Sequence, residues 1–143
     1  MLAKTITYTD YEGEERTETF YFNITKAELT KLQFKYPGGY SNRLERILAA
    51  KDAVALMKEF EDLIDLSYGS KSDDGRRFIK SEELTEAFKQ TEAYSELFTQ
   101  LLTDPEAASA FVNGIMPKVD LTEEQQAELN SKMKNLIDAK ASE

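Results

Sequence analysis

The chain has 143 residues, with 27 acidic and 18 basic side chains and a net charge of −9, and it contains neither cysteine nor histidine. This length suits one domain with its own core, and the missing cysteine excludes disulfides and thiolate–metal sites. The missing histidine removes the usual proton shuttle at neutral pH and the commonest transition-metal ligand, so we expect no enzyme and no cofactor.

Negative charge is concentrated in residues 81–106, where seven acidic residues accompany one basic residue. An acidic surface repels phosphate backbones and anionic lipids, so neither nucleic acid nor a membrane is an expected partner. A DNA-mimicking inhibitor would need long acidic rows with few cations, whereas the basic residues here are interspersed. The charge therefore favours a solvated surface, and an acidic inhibitor or adaptor is the weaker alternative.

The first ten residues, MLAKTITYTD, lack the charged and apolar regions of a signal peptide. No apolar stretch approaches the ~18–20 residues that span a bilayer. We therefore expect the protein in the cytoplasm of the cell that makes it.

Residues 4–24 alternate between apolar and polar side chains and predict a β-hairpin, with strands at 4–11 and 16–22 and a turn at 12–15. The apolar side chains share one face of each strand: Ile6 and Tyr8 in the first, and Phe20, Phe22 and Ile24 in the second. Threonines occupy most of the opposite face. Because two strands alone are marginally stable, the apolar face should pack on helices, and we expect no further strands.

Seven helical patterns follow the hairpin, each opening at a capping residue or after a helix-breaking turn. They begin, in order, at Thr25, Ser41, Asp52, Ser81, Thr91, Asp104 and Thr122. The predicted fold is therefore mainly α (α+β), with an N-terminal β-hairpin packed on a bundle of about five to seven short helices. The aromatic residues at core spacing are Phe78, Phe88, Tyr94, Phe98 and Phe111.

Pro117 and the polar residues after it separate a predicted body, residues 1–117, from a C-terminal helix within 118–143. That helix carries few large apolar side chains, and they form one stripe: Leu129, Met133, Leu136 and Ile137. The stripe suits docking on a partner or on the body of the protein, and the sequence leaves both open.

The polar stretch 70–81 resembles a calcium loop only superficially. Ser70, Ser72 and Ser81 stand where a calcium loop needs charged or amide ligands, so we interpret the stretch as a turn between helices and expect no metal. Its four basic residues are expected to pair with the acidic helices of 81–106, because no glycine-rich phosphate cradle accompanies them. The carboxylate pairs of those helices are interpreted as a solvated face, with acid–base chemistry the weaker alternative.

Four blocks of sequence resemble the tail assembly chaperones of long-tailed (siphovirus-type) bacteriophages and prophages. They are TETFYFNITKAEL (Thr17–Leu29), SYGSKSDDGRRFIKS (Ser67–Ser81), QTEAYSELFTQL (Gln90–Leu101) and AASAFVNGIMP (Ala107–Pro117). The resemblance covers most of residues 1–117 as an ordered series of blocks.

The resemblance implies a non-enzymatic protein that binds the tape-measure protein, keeps it soluble, helps the tail tube assemble and is absent from the mature virion. It also implies action in the host bacterial cytoplasm and contact with the tail tube protein through a frameshifted, extended form; homo-oligomerisation is left open. The alternative from another class is a structural tail-completion or connector protein. The apolar stripe on the last predicted helix is the expected partner-binding site.

Overall fold

The computed structural model describes residues 1–117, which form four strands and six helices and confirm the predicted α+β fold. The strands are β1 (Leu2–Thr9), β2 (Glu15–Phe22), β3 (Tyr68–Lys71) and β4 (Phe78–Ile79). The helices are α1 (Lys26–Lys35), α2 (Tyr40–Ala50), α3 (Ala53–Ser67), α4 (Glu82–Lys89), α5 (Glu92–Thr103) and α6 (Pro105–Ile115). The helix predicted after Thr122 lies outside the described residues.

The N-terminal hairpin pairs β1 with β2 along their whole length, from Leu2 opposite Phe22 to Thr9 opposite Glu15. Its exposed face carries a threonine ladder in which the hydroxyls of Thr5 and Thr19 lie 3.0 Å apart. The other face is covered by helices, and there Ile6 and Phe22 are buried. Alternation of side chains along the strands therefore separates the two faces as the sequence predicts.

The expectation of a single pair of strands is wrong. β3 and β4 form a second, shorter hairpin that joins β2, so the sheet has four antiparallel strands in the order β1-β2-β3-β4. β3 begins at Tyr68, directly after the last residue of α3, where the sequence pattern continues the helix. The following turn is closed by Asp74, whose side chain accepts hydrogen bonds from the Ser72 hydroxyl at 2.7 Å and the Arg76 backbone N–H at 3.0 Å.

The described residues divide into two compact units, of which the larger comprises residues 1–24 and 57–116. Its core is centred on Phe22, whose ring lies 5.3 Å from that of Phe111 and 5.9 Å from that of Phe88. Phe88 also stacks on Tyr68, with ring centroids 4.4 Å apart. The sheet and α3 to α6 thus share one aromatic core, in which edge-to-face and stacked pairs add to the burial of apolar area.

The prediction that all five aromatic residues from Phe78 to Phe111 belong to the core is only partly right. Phe88 and Phe111 are buried, whereas Phe78, Tyr94 and Phe98 are half-buried. Helical spacing determines the face of the helix on which a side chain lies, but it does not determine how deeply other elements bury that side chain. Tyr94 and Phe98 stack on each other with centroids 5.8 Å apart at the margin of the core.

The second unit comprises Thr25–Leu56 among the described residues and contains α1, α2 and the first turn of α3. α1 begins with the predicted capping box, in which the Thr25 hydroxyl accepts from the Glu28 N–H at 3.1 Å and the Glu28 carboxylate accepts from the Thr25 N–H at 2.9 Å. A turn through two glycines of positive φ, Gly38 and Gly39, leads into α2, one residue earlier than predicted.

Candidate partner-binding surfaces

The four residues predicted to bind a partner, Leu129, Met133, Leu136 and Ile137, lie outside the described residues. Their role stays a prediction, as does the boundary between a 1–117 body and a C-terminal helix. The described residues contain two other surfaces suited to binding a polypeptide.

The first surface is on the unit formed by residues 25–56, hereafter the basic unit. It contains six basic and three acidic residues, whereas the larger unit contains eight basic and eighteen acidic residues. The overall charge of −9 therefore conceals a net positive segment within an acidic chain. This distribution of charge favours binding of acidic polypeptide segments at the basic unit over the larger, acidic unit.

The basic unit leaves much of its apolar surface uncovered. α1 contains no buried side chain, and its Phe34 is 48% exposed. At the start of α3, Val54 is 77% exposed. Leu29 and Leu32 of α1 are half-buried. Apolar side chains so open to water, on short helices, are typical of surfaces that bind other apolar helices.

A cluster of aromatic and basic side chains fixes the turn between α1 and α2. The guanidinium of Arg43 lies 4.2 Å from the centre of the Tyr36 ring, and the Tyr40 ring lies 5.9 Å from that of Tyr36. The Arg46 guanidinium donates to the Pro37 carbonyl oxygen at 2.9 Å. The Gln33 side chain accepts from the Tyr40 N–H at 2.7 Å. These contacts hold the two helices while their apolar side chains stay accessible.

The second surface is a groove in the larger unit between β1 and α5. It has a volume of about 310 Å³ and is lined by Lys4, Thr5, Ile6, Thr7, Glu96, Leu97 and Gln100. Ile6 and Leu97 are buried and form its floor, while Thr5, Thr7, Glu96 and Gln100 are exposed along its sides. Sequence reasoning missed this groove because it depends on residues almost a hundred positions apart.

The loop at 70–81 is the β3–β4 hairpin rather than a turn between helices. Backbone and Ser72 hydrogen bonds to the Asp74 carboxylate lower its pKa below the ordinary value. Within residues 1–117, no group of three or more acidic side chains is placed to hold a metal ion. The described part of the chain also contains no helix long and apolar enough to cross a membrane.

The predicted pairing of the basic residues in that loop with the helices of 81–106 is not what the structure shows for three of the four. Among the described residues, Lys71, Arg76 and Arg77 take part in no ion pair. The fourth, Lys80, places its Nζ 5.7 Å from the centre of the Phe78 ring. The exposed side chains of Lys71, Arg76 and Arg77 would lose rotamer entropy on pairing and gain little from it, so these three remain solvated.

In the larger unit, Lys89 joins two helices through ion pairs. Its Nζ donates to a Glu61 carboxylate oxygen at 3.2 Å and to an Asp65 carboxylate oxygen at 3.3 Å, which ties α4 to α3. Burial raises the pKa of the Asp65 carboxyl, although the Lys89 charge opposes that shift. This cluster lies between packed helices and is interpreted as structural.

The described chain is therefore an α+β protein with an acidic body, a basic helical unit with exposed apolar side chains and a groove beside an outer strand. These are features of proteins that bind other polypeptides. A family model for phage tail assembly chaperones matches residues 1–143, and the chain belongs to that family. Searches of curated proteins and of solved structures find no significant match.

Proposed function

We propose that this phage tail assembly chaperone binds the tape-measure protein in the host cytoplasm and keeps it soluble until the tail tube encloses it. The role is one of binding, without catalysis. The chaperone leaves before the virion is complete, and an extended form produced by frameshifting recruits the tail tube protein. Family membership supports the general role, and the exposed apolar helices of the basic unit support client binding.

The physical basis of the proposal is the aggregation of amphipathic helices. A long helical client exposes apolar faces until its final partner covers them, and such faces associate with one another in water. Phe34 and Val54 of the basic unit can cover them in the manner of helix-in-groove recognition. Full burial of an exposed apolar side chain contributes about 1.5–3 kcal/mol, and Phe34, which is already about half covered, contributes correspondingly less. The larger unit has eight basic and eighteen acidic residues, and its net negative charge keeps complexes from aggregating with one another.

Two sets of apolar residues are proposed to bind the tape-measure protein together. The basic unit supplies Phe34 and Val54, and the predicted C-terminal helix supplies the stripe Leu129, Met133, Leu136 and Ile137. Both are apolar side chains on helices, and neither requires any cofactor.

Binding of the purified tape-measure protein tests the proposed surface. A Phe34→Ser/Val54→Ser double variant should bind it at least about tenfold more weakly, because the loss of two apolar contacts exceeds 1.4 kcal/mol. Tyr11→Ser is the matched control, because Tyr11 is also an exposed ring, at 75%, but lies in the larger unit, outside the proposed surface. Its affinity for the client should equal that of the parent. Equal affinity of the double variant and the parent would exclude the basic unit as the client surface.

The composition of purified virions separates the chaperone from the structural alternative. A tail-completion or connector protein stays in the particle in fixed copy number, whereas an assembly chaperone is absent. Detection of this chain in purified, infectious particles by mass spectrometry would therefore refute the chaperone role.

A further inference from the structure

β1 is an edge strand of the four-stranded sheet, because β2 pairs with one side of β1 and no strand pairs with its other side within residues 1–117. An eight-residue outer strand leaves a row of backbone donors and acceptors available to another chain. The groove described above lies along this free edge, so the row is accessible where α5 faces Lys4–Thr7.

The register identifies which backbone groups of β1 point outward. The Asp10 N–H donates to the Glu14 carbonyl oxygen at 2.8 Å, so Asp10 and Glu14 form a hydrogen-bonded pair that continues the β1–β2 ladder. Hydrogen-bonded pairs alternate with non-bonded pairs in antiparallel sheets. The even-numbered residues of β1 therefore bond to β2, while the N–H and C=O groups of the odd-numbered residues face away from it.

The threonine ladder supports this assignment. Side chains approach most closely at non-bonded pairs, and the hydroxyls of Thr5 and Thr19, like those of Thr7 and Thr17, lie 3.0 Å apart. Outside the β1–β2 ladder, no hydrogen bond within residues 1–117 involves the backbone N–H or C=O of Thr5 or Thr7, and the register directs these groups away from β2. Both residues line the groove.

We infer that this groove binds an extended, positively charged segment of the client, which adds a fifth strand to the sheet beside β1. The inference rests on the proposed function and assigns a second kind of contact to the same client. Backbone pairing with Thr5 and Thr7 supplies the attraction. Alternate side chains of the added strand lie over Ile6 and Leu97, within reach of the exposed Glu96 and Gln100.

Charge and geometry favour a client segment over a second copy of this chain. The lining of the groove carries one basic residue, Lys4, and one acidic residue, Glu96, so its local charges balance. The unit that contains the groove has ten more acidic than basic residues, and this overall charge attracts a basic segment and repels a second copy. A two-fold axis between two β1 strands would also place both α5 helices on the same face of the joined sheet. The acidic and amide side chains that line the groove on α5 would then face their own copies.

Amide hydrogen exchange of the full chain, free and in complex with the tape-measure protein, tests the inference. The N–H groups of Thr5 and Thr7 should exchange quickly in the free protein and at least about tenfold more slowly in the complex. The N–H of Ile6 is the internal control, because it is already bonded to β2.

A matched pair of proline variants provides an independent readout. Thr7→Pro removes an outward N–H from β1 and should weaken client binding about tenfold. Thr17 lies directly opposite Thr7, and its N–H faces away from β1 at a position that β3 does not reach. Thr17→Pro should therefore leave the affinity for the client unchanged. Urea midpoints of both variants check that the hairpin remains folded.

The outcomes distinguish the two proposals. A complex in which Thr5 and Thr7 exchange at their free rates overturns the strand-addition inference and leaves the proposed function intact. Protection of both amides already in the free protein also overturns it, and size-exclusion chromatography then tells a second copy from a segment of the same chain. Failure of the tape-measure protein to bind at all overturns the proposed function and this inference with it.

Discussion

Replacing Phe111 by alanine tests the position assigned to the aromatic core. The Phe111 side chain is 1% exposed, and its ring meets that of Phe22 edge-on at 5.3 Å. Removing a fully buried phenylalanine costs about 3–5 kcal/mol, through lost transfer energy and the cavity left behind. That is a large fraction of the roughly 5–15 kcal/mol that stabilises a typical domain. With a urea m-value of about 2 kcal/mol/M, the unfolding midpoint should fall by about 2 M.

Two other phenylalanines calibrate this measurement. Phe98 is half-buried, so Phe98→Ala should cost only about 1–2 kcal/mol. Phe34 is 48% exposed, and Phe34→Ala should change stability by no more than about 0.5 kcal/mol. Urea unfolding followed by far-ultraviolet circular dichroism supplies all three values. If Phe98→Ala destabilised the fold as much as Phe111→Ala, or if Phe111→Ala melted like the parent, the assigned core would be wrong.

Three further predictions concern the larger unit. Gly69→Ala should lower the free energy of unfolding by about 1–3 kcal/mol, because an added Cβ would lie 2.5 Å from the Phe78 ring. An unchanged urea midpoint would show that β3 and β4 are not packed as described. Asp65→Asn should be at least as stable as the parent at neutral pH. Burial raises the pKa of the Asp65 carboxyl, so ionisation of this carboxyl opposes folding as the pH rises through the raised pKa. The difference should shrink as the pH falls toward about 4, and a variant clearly less stable at neutral pH would contradict the assignment. Millimolar calcium should leave the melting temperature unchanged, because Ser70, Ser72 and Ser81 stand where a calcium loop needs charged or amide ligands. A calcium-specific upward shift would reveal a site.

The N-terminal hairpin and most helix starts could be predicted because their signals are local. Period-two alternation identifies β1 and β2, and capping residues such as Thr25 and Asp104 make the expected hydrogen bonds. Each signal lies within a few residues of the element that it defines, so tertiary contacts are not needed to read it.

The second hairpin could not be predicted from periodicity, since β3 has four residues and β4 has two. Its one local signal is the Asp74-Gly75 dipeptide, which is frequent in hairpin turns, but polar and charged residues flank it on both sides. The depth of Phe98 and the groove beside β1 depend on how distant elements pack. No pattern within one element carries that information.

Co-expression of this chain with its proposed client, the tape-measure protein, tests the proposed function most directly. The tape-measure protein should be recovered in the soluble fraction when the full chain is present and should aggregate without it. Deletion of residues 118–143 should weaken that effect, and the residual effect should depend on Phe34 and Val54. A tape-measure protein that stays insoluble with the full-length chain, or that is equally soluble without it, would contradict the proposed role.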